Sequence, residues 1–409
     1  MADILFVHNN FPAQFGFIAA KMRDEGHRVA AIASETGRVL DGMEMVKWRA
    51  NRGSTPGILD SAVRAEADLI RGGAAAQAAL ELRKKGFDPA LIVGHPGWGE
   101  TIYLREIFPA AKQIAYAEFY YRSKGGDVGF DPEFSPPRDV DPHVLYAKNA
   151  GMAMAFAEAD AIVSPTPFQA SVLPEVFRAR THIIHEGVDT AVIKRHPNPR
   201  LTLGSGKVID GSRPLITLIN RRFEPLRGFH IFMRALPKLM AEVPDADVIV
   251  IGADETGGYG KPADAGTTWG AKLLAEVEGQ IDRERIHFPG RVPHALMIET
   301  LSLSSAHVYY TYPFVLSWSL LEAMATECLV LASDTAPVRD AITPGVDGVL
   351  NDFFDVEALS DAMIDACRNP QKYAAMRKAA RQTIIDRYDR ATICEPAWVK
   401  LVGQVLGAA

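Results

Sequence analysis

The sequence has few cysteines, no long apolar run and no long basic run. Its three cysteines, Cys328, Cys367 and Cys394, show no paired metal spacing, so neither a zinc site nor a disulfide framework is predicted, and a reducing compartment is favoured. No segment approaches the roughly 18 apolar residues of a membrane span. Because the N-terminal segment also lacks the basic and apolar regions of a signal peptide, we expect a cytoplasmic protein.

The charge of the chain gives no general attraction to nucleic acid or to an anionic membrane, since the formal net charge is −6 and the pI is near 6.0. We therefore expect no nucleic-acid partner and at most a peripheral membrane contact. Hydrophobic residues make up 48% of the chain and charged residues 23%, as in soluble globular proteins. A length of 409 residues suits two domains of roughly 150–200 residues each.

Short apolar segments alternate with helical patterns along the chain. Residues 4–8, 91–93 and 215–220 are examples of such segments, which are typical of buried parallel strands. The polar stretch His-Pro-Asn-Pro-Arg at 196–200 has the composition of a linker. The sequence therefore predicts an α/β protein with a domain boundary near residues 188–200.

The segment from Tyr309 to Asp334 carries the main functional signal. It is predicted to form a strand that ends near Tyr312, a helix from about Ser317 to Thr326, and a second apolar strand. Ser317 is a candidate N-cap, and the start of the helix suits a phosphate. Glu322 lies further along the helix, where a carboxylate suits a sugar diol better than the same phosphate. On spacing alone, a solvated acid on a core helix remains the more common interpretation.

The sequence Leu-Leu-Glu-Ala-Met-Ala at 320–325, followed by an apolar strand and Ser-Asp, resembles the donor-binding signature of retaining glycosyltransferases of family 4. The resemblance implies the GT-B fold, in which two Rossmann-like parallel-sheet domains face each other across a cleft. It implies an acceptor-side domain at 1–190, a donor-binding domain at 200–385, and a C-terminal helical segment at 386–409 that returns to the first domain.

By the same resemblance, Glu322 binds the ribose of a nucleotide sugar, and the preceding loop contributes further donor-binding residues. These are Phe314, Leu316, Ser317 and Trp318. The family usually has a glutamate that touches the donor sugar eight positions before Glu322, whereas this chain has Phe314. This departure affects the expected sugar contact and leaves the expected nucleotide contacts in place.

Two cations at one strand end are implied to hold the donor diphosphate. Arg221 with Arg227 has a spacing of six residues, and Arg222 with Arg227 has a spacing of five, so both pairs fit. Two guanidinium groups at this position neutralise a leaving pyrophosphate. The alternative interpretation is that these are surface arginines flanking a turn.

Other donor-side expectations concern loops. Arg291 and Val292, in Gly-Arg-Val-Pro-His, match a family segment that packs on the nucleotide base. The glycine-rich segment 253–270 is either a lid near the donor or a mobile surface loop. In the first loop of the chain, only Gly16 keeps the permissive backbone of the family's glycine pair.

Acceptor-side candidates follow the predicted strands of the first domain. His95 lies in a glycine-rich loop at a strand end, a functional position in this fold class, although a lone histidine is more often structural. Glu118 stands where family members commonly carry a histidine facing the reacting sugar, and we take it as a catalytic candidate. Tyr120 and Arg122 belong to a polar-aromatic cluster beside it.

These features together imply a retaining, metal-independent hexosyltransferase with catalytic candidates Arg221, Arg227 and Glu118. We expect no cofactor, a UDP- or GDP-linked sugar as donor, and a hydroxyl acceptor on a saccharide, a glycolipid or a small molecule. Polysaccharide or glycolipid biosynthesis is the usual setting of the family. A non-catalytic sugar-nucleotide-binding subunit and a sugar-nucleotide epimerase remain as alternatives.

Overall fold

Short apolar segments form two all-parallel sheets, one in each of two units of the chain. The computed structural model describes residues 1–407. Unit 1 contains residues 1–126, residues 140–187 and the chain from residue 390 onwards. Unit 2 contains residues 127–139 and 188–389. Residues 127–139 therefore belong to unit 2, although the sequence analysis kept them with the first domain.

Unit 1 is built on a seven-stranded parallel sheet. Its strands, numbered along the chain, are β1 (Asp3–Val7), β2 (Arg28–Ala33), β3 (Glu44–Lys47), β4 (Leu91–Gly94), β5 (Lys112–Tyr116), β6 (Ala161–Ser164) and β7 (Thr181–Ile183). The order in the sheet is β3-β2-β1-β4-β5-β6-β7. Because β1 is buried on both faces, Ile4 and Phe6 enter one core cluster, while Leu5 and Val7 enter another.

Helices cover both faces of this sheet. They are α1 (Gly16–Asp24), α2 (Val63–Lys84), α3 (Leu104–Ile107), α4 (Pro142–Lys148), α5 (Ala150–Glu158), α6 (Pro167–Ser171), α7 (Glu175–Arg178) and, at the end of the chain, α15 (Glu395–Leu406). Trp398 of α15 is 0% exposed, and its ring centroid lies 6.4 Å from those of Phe15 and Tyr116. The last helix is thus part of the core of unit 1.

Unit 2 is built on a six-stranded parallel sheet with the order β12-β11-β10-β13-β14-β15. The strands are β10 (Leu215–Arg222), β11 (Asp247–Ala253), β12 (Ile286–Gly290), β13 (Ala306–Tyr309), β14 (Val330–Ser333) and β15 (Val349–Asn351). An antiparallel pair, β8 (Leu201–Thr202) and β9 (Val208–Ile209), precedes them. The helices are α8 (Phe229–Glu242), α9 (Trp269–Glu276), α10 (His294–Leu303), α11 (Trp318–Ala325), α12 (Ala336–Arg339), α13 (Val356–Arg368) and α14 (Ala374–Tyr388).

Each sheet has one point where the strand order reverses. In unit 1 it lies between β1 and β4, and in unit 2 it lies between β10 and β13. Open α/β sheets bind ligands at the carboxyl ends of the strands on either side of such a point. The residues that follow these four strands are therefore the ones to inspect for a site.

No helix in residues 1–407 is long and apolar enough to cross a membrane.

We predict that Trp398→Ala destabilises unit 1. Removal of a fully buried indole leaves a cavity and lowers the free energy of unfolding by about 3–5 kcal/mol. The loss is one of packing, since the indole nitrogen has no hydrogen-bond partner in residues 1–407. Hydrogen exchange followed by mass spectrometry measures this destabilisation as faster exchange of the backbone amides in the strands of unit 1.

The matched control is Gln404→Ala, which changes an exposed residue of the same helix and should shift the free energy by less than about 0.5 kcal/mol. Equal protection of unit 1 in Trp398→Ala and Gln404→Ala would contradict the assigned role of α15.

Candidate functional site

The buried cation of unit 2 is Arg227, which ends a short turn after β10. It is 7% exposed, and its Nη1 donates hydrogen bonds to Thr311 Oγ1 at 2.9 Å and to the Val315 carbonyl at 2.8 Å. No ion pair joins it to a carboxylate within residues 1–407. Because a buried charge without an opposite charge is unfavourable, this guanidinium suits an anionic ligand at the switch point between β10 and β13.

Gly228 makes this placement possible. Its φ of 66° lies in the left-handed region, and a Cβ at this position would lie 2.2 Å from Cβ of Tyr310. A larger residue would force the turn away from the residues that follow β13. The glycine therefore lets Arg227 reach the end of that strand.

The remaining predicted arginines of the donor side, Arg221, Arg222 and Arg291, differ in their partners. Arg222 Nε lies 3.3 Å from Glu255 Oε2, and Arg291 Nη2 lies 2.8 Å from the same oxygen. Arg221 is exposed at the end of β10 and has neither an ion pair nor a hydrogen bond from its side chain in the described part of the chain. Of the two predicted pairs, Arg221 with Arg227 is the one whose charges are not already neutralised.

The loop after β13 reaches α11 as predicted, although the strand ends at Tyr309 rather than near Tyr312. Ser317 is the N-cap residue, but the predicted capping bond is wrong: its hydroxyl contacts the Ser319 hydroxyl at 2.8 Å and caps no amide. The Ser317 N–H donates to the Tyr309 phenol at 2.8 Å. The start of α11 therefore lacks a side-chain cap that would compete with a ligand for its first amides.

Phe314 occupies the place of the expected glutamate and is 2% exposed. Its ring centroid lies 5.6 Å from Cζ of Arg227 and 5.1 Å from the ring of Tyr259. The side chain at this position is thus a cation–π partner of Arg227. Leu316 packs partly buried against the core, and Trp318 is 48% exposed at the start of α11.

Glu322 is mostly buried on α11, with 13% of its side chain exposed. Its Oε1 lies 2.7 Å from Nε2 of His294, the first residue of α10. His294 is 57% exposed, and it was not among the predicted site residues. Its position directly after Gly-Arg-Val-Pro was the only feature of the sequence that could have identified it. Of the predicted base-binding pair, Arg291 bonds Glu255, while Val292 packs against the core.

The glycine-rich loop at 254–268 is anchored by Glu224, which the sequence analysis did not identify. Glu224 is 4% exposed, and its Oε2 accepts the N–H groups of Tyr259 at 2.9 Å and Gly260 at 3.2 Å. These two bonds hold the loop near the end of β10.

In unit 1, His8 and His95 follow β1 and β4 and so lie at the switch point, with ring centroids 5.0 Å apart. The Nδ1 atoms accept N–H bonds from Asn10 at 2.9 Å and Gly97 at 3.1 Å. These bonds place the proton of each neutral ring on Nε2. Burial is the main cause that holds the pKa of His8 well below its usual range, and the neighbouring His95 ring acts in the same direction.

Glu118 is held beside these rings. Its Oε1 accepts a bond from Gln14 Nε2 at 3.0 Å, and its Oε2 lies 3.6 Å from His95 Nε2. The structure thus brings together two predicted residues, His95 and Glu118, and adds Gln14. Gly16, two positions later, has an ordinary helical φ of −55°, so the permissive backbone predicted for it is not used.

Tyr120 and Arg122 make their contacts elsewhere. Tyr120 packs on Phe156 with ring centroids 6.5 Å apart, and Arg122 Nη2 donates to the Leu173 carbonyl at 3.0 Å. These contacts fix the chain after Glu118. In residues 1–407, no group of three or more histidine, cysteine, aspartate or glutamate side chains is arranged to hold a metal ion.

Sequence models of two glycosyltransferase groups match the chain in succession. "Glycosyl transferase family 4 group" matches residues 25–193, and "Glycosyl transferases group 1" matches residues 207–383. The chain belongs to the family 4 glycosyltransferases. The resemblance seen in the sequence is therefore confirmed, and the two Rossmann-like units of this glycosyltransferase are those of the GT-B fold.

Known proteins similar to this glycosyltransferase include a phosphatidyl-myo-inositol mannosyltransferase of Propionibacterium freudenreichii, 27% identical over 45% of this chain and 42% of that protein. The chain thus spans about two fifths of that relative's length. Sucrose-phosphate synthase from Thermosynechococcus elongatus is 17% identical with a TM-score of 0.75, and each chain is covered completely. HepE of Anabaena in complex with UDP and glucose is 15% identical with a TM-score of 0.66 over 98% of this chain and 100% of that one.

One buried acid of unit 1 remains outside these contacts. Glu100 is 0% exposed, and neither carboxylate oxygen has a hydrogen-bond partner in the described residues. Burial raises the pKa of Glu100 from 4.5 to about 7, and nearby Asp68 acts in the same direction, while His95 and Arg71 oppose the shift. The acid is therefore mostly neutral in the folded protein below pH 7.

We predict that Glu100→Gln flattens the dependence of unit 1 stability on pH. A raised folded pKa means that stability is fully present below about pH 4.5 and is lost as the pH rises towards 7, by about 3 kcal/mol for a shift of this size. Denaturant unfolding at several pH values between 4.5 and 8 measures the slope. Glu81→Gln, at an exposed position, is the control, and a wild-type slope in Glu100→Gln would contradict the prediction.

Proposed function

We propose that this glycosyltransferase moves a sugar from a nucleoside diphosphate sugar to a hydroxyl acceptor, with retention of configuration and without a metal ion. The observation that carries the proposal is the buried guanidinium of Arg227, which has hydrogen bonds only to neutral oxygens. A diphosphate would supply the missing negative charge. Arg221 and the start of α11 add positive potential beside it.

The proposed reaction breaks the bond between the sugar C1 and the leaving phosphate oxygen. The acceptor oxygen bonds to C1 on the same face, and its proton passes to the leaving phosphate. Arg227 and Arg221 stabilise the charge that develops on the diphosphate. Glu322 accepts hydrogen bonds from the ribose hydroxyls, as its mostly buried position next to His294 supports.

Glu118 serves the acceptor side in this proposal. Gln14 Nε2 donates a hydrogen bond to one of its oxygens, and His95 Nε2 lies 3.6 Å from the other, so the carboxylate is held from both sides. An oriented carboxylate accepts a hydrogen bond from a sugar hydroxyl and holds the reacting groups in place. His95 is then a positioning residue.

The substrate classes follow the known proteins named above. The similarity to a mannosyltransferase supports a hexosyl donor and an acceptor on a glycolipid or saccharide, and HepE was solved with UDP and glucose. We therefore propose a UDP- or GDP-linked hexose as donor. Binding of nucleotide without transfer would instead favour the non-catalytic subunit, for which Phe314 is the relevant observation.

Replacement of the arginines tests the diphosphate site. We predict that Arg227→Ala lowers kcat/KM by about 100- to 1,000-fold, as for loss of one donor to a developing charge, and that Arg221→Ala lowers it in the same direction. Arg222→Ala is the matched control, because Arg222 is already paired with Glu255, and it should stay within a few-fold of wild type. Near-normal turnover of Arg227→Ala, or a larger loss in Arg222→Ala, would rule out this assignment.

Replacement of Glu322 tests the ribose contact. We predict that UDP or GDP at 100 times its dissociation constant stabilises the wild-type protein by about 2.7 kcal/mol, and that Glu322→Gln weakens this binding. The 2′-deoxy and 3′-deoxy nucleotides are matched ligands: at least one should bind wild type less tightly than the parent nucleotide, while Glu322→Gln should no longer discriminate. Thermal unfolding measures each shift. If the deoxy nucleotides lose the same affinity in wild type and in Glu322→Gln, the ribose does not contact Glu322.

A further inference from the structure

A small pocket lies within unit 2, at the ends of β10 and β13. Its volume is about 200 Å³, below the roughly 300–1,000 Å³ of pockets for drug-sized ligands. The lining includes Leu226, Tyr312, Phe134, Tyr259, Asp127 and Lys261. Of these, Leu226 immediately precedes Arg227, so the pocket lies beside the candidate diphosphate site.

One wall comes from residues 127–139, and a buried aspartate fixes it. Asp131 is 1% exposed, and its Oδ2 lies 3.2 Å from His230 Nε2. It also accepts a hydrogen bond from the Tyr312 phenol, and its Oδ1 accepts the N–H groups of Glu133 at 2.8 Å and Phe134 at 3.1 Å. Although burial alone would raise it, these bonds lower the pKa of Asp131 to about 2, so the carboxylate stays charged and the contacts persist.

Further contacts hold the same wall. Glu133 forms a two-pronged ion pair with Arg234, with nitrogen–oxygen distances of 2.7 and 2.8 Å. The ring of Phe134 meets those of His230 at 4.9 Å and Trp269 at 5.0 Å. The opposite wall, Tyr259 to Lys261, is held by Glu224 and by the Trp269 indole, which donates to the Lys261 carbonyl at 3.1 Å. Both walls are therefore formed before any ligand binds.

The chemistry of the lining favours an uncharged polyol. Phe134, Tyr259 and Tyr312 contribute aromatic side chains to the lining, and the Tyr312 hydroxyl is already bound to Asp131. Asp127 and Lys261 carry opposite charges, so the pocket has no net preference for an anion or a cation. A sugar ring has apolar C–H faces and a rim of hydroxyl groups that match such a mixture, and a pocket below the size for drug-sized ligands suits a single ring better than a larger molecule.

We propose that this pocket binds one sugar ring and that residues 127–139 select it. The inference rests on the proposed function, because the ring belongs either to the donor or to the acceptor. The ring of Phe314 contacts both Tyr259 and Arg227, so a sugar attached to the diphosphate is within reach of the pocket.

The test fills the pocket with Val128→Trp, since Val128 lines it from the selecting segment. Val346→Trp is the matched control at an exposed valine of unit 2. Calorimetry compares UDP with UDP-glucose and GDP with GDP-mannose, and saturation-transfer NMR measures methyl α-glycosides of glucose, mannose and N-acetylglucosamine. If the donor ring occupies the pocket, Val128→Trp weakens the sugar nucleotide at least tenfold and the nucleotide alone less than twofold.

If the acceptor ring occupies it, both nucleotide forms bind Val128→Trp as wild type does, and only the methyl glycoside signals disappear. Loss of these signals in a protein that binds no nucleotide would support the pocket while refuting the proposed transferase. The proposed sugar site is wrong if Val128→Trp changes neither the affinity for sugar nucleotides nor the glycoside signals. It is also wrong if the wild-type protein binds no sugar. If Val128→Trp does not fold, Lys261→Met replaces it, since the Lys261 side chain is exposed. We expect Lys261→Met to weaken sugar binding several-fold.

Discussion

The uncompensated charge of Arg227 is the constraint on which the rest of unit 2 depends. A guanidinium that is 7% exposed and bonded only to neutral oxygens is stable only where the surrounding groups fix it. Thr311 and the Val315 carbonyl do so from the loop after β13, and Phe314 covers its face. The loop that leads into α11 is therefore shaped by the cation, whose charge no carboxylate of the described residues neutralises.

Unit 1 has an acidic group, rather than a cation, beside its own switch point. There the acidic group is Glu118, which accepts a hydrogen bond from Gln14 and has His95 Nε2 3.6 Å from its second oxygen. Each histidine of the pair accepts a backbone N–H at Nδ1, which fixes the proton on the other nitrogen. The same topological feature thus presents a fixed cation in one unit and an oriented anion in the other.

Patterns that are local in sequence were predictable, and contacts between distant residues were not. The alternation of strands and helices, the spacing of Arg221 and Arg227 and the helical position of Glu322 all follow from short motifs. Asp131 and Tyr312 are 181 residues apart in the chain, and no periodicity links them. The predicted Ser317 cap is wrong for a local reason, because the Ser317 hydroxyl contacts the Ser319 hydroxyl instead of accepting a bond from a first-turn amide.

Phe314 shows how one substitution changes what the neighbouring residues must do. A carboxylate beside Arg227 would neutralise the guanidinium and accept hydrogen bonds from a sugar, whereas a ring can do neither. The ring instead joins Arg227 to Tyr259, and Tyr259 belongs to a wall anchored by Glu224. A carboxylate at this position would distinguish hydroxyl positions by hydrogen bonding, whereas in the proposed pocket discrimination between sugars would come from the fit of the ring. In that proposal the fit is set by residues 127–139, which the contacts of Asp131 and Glu133 hold in place.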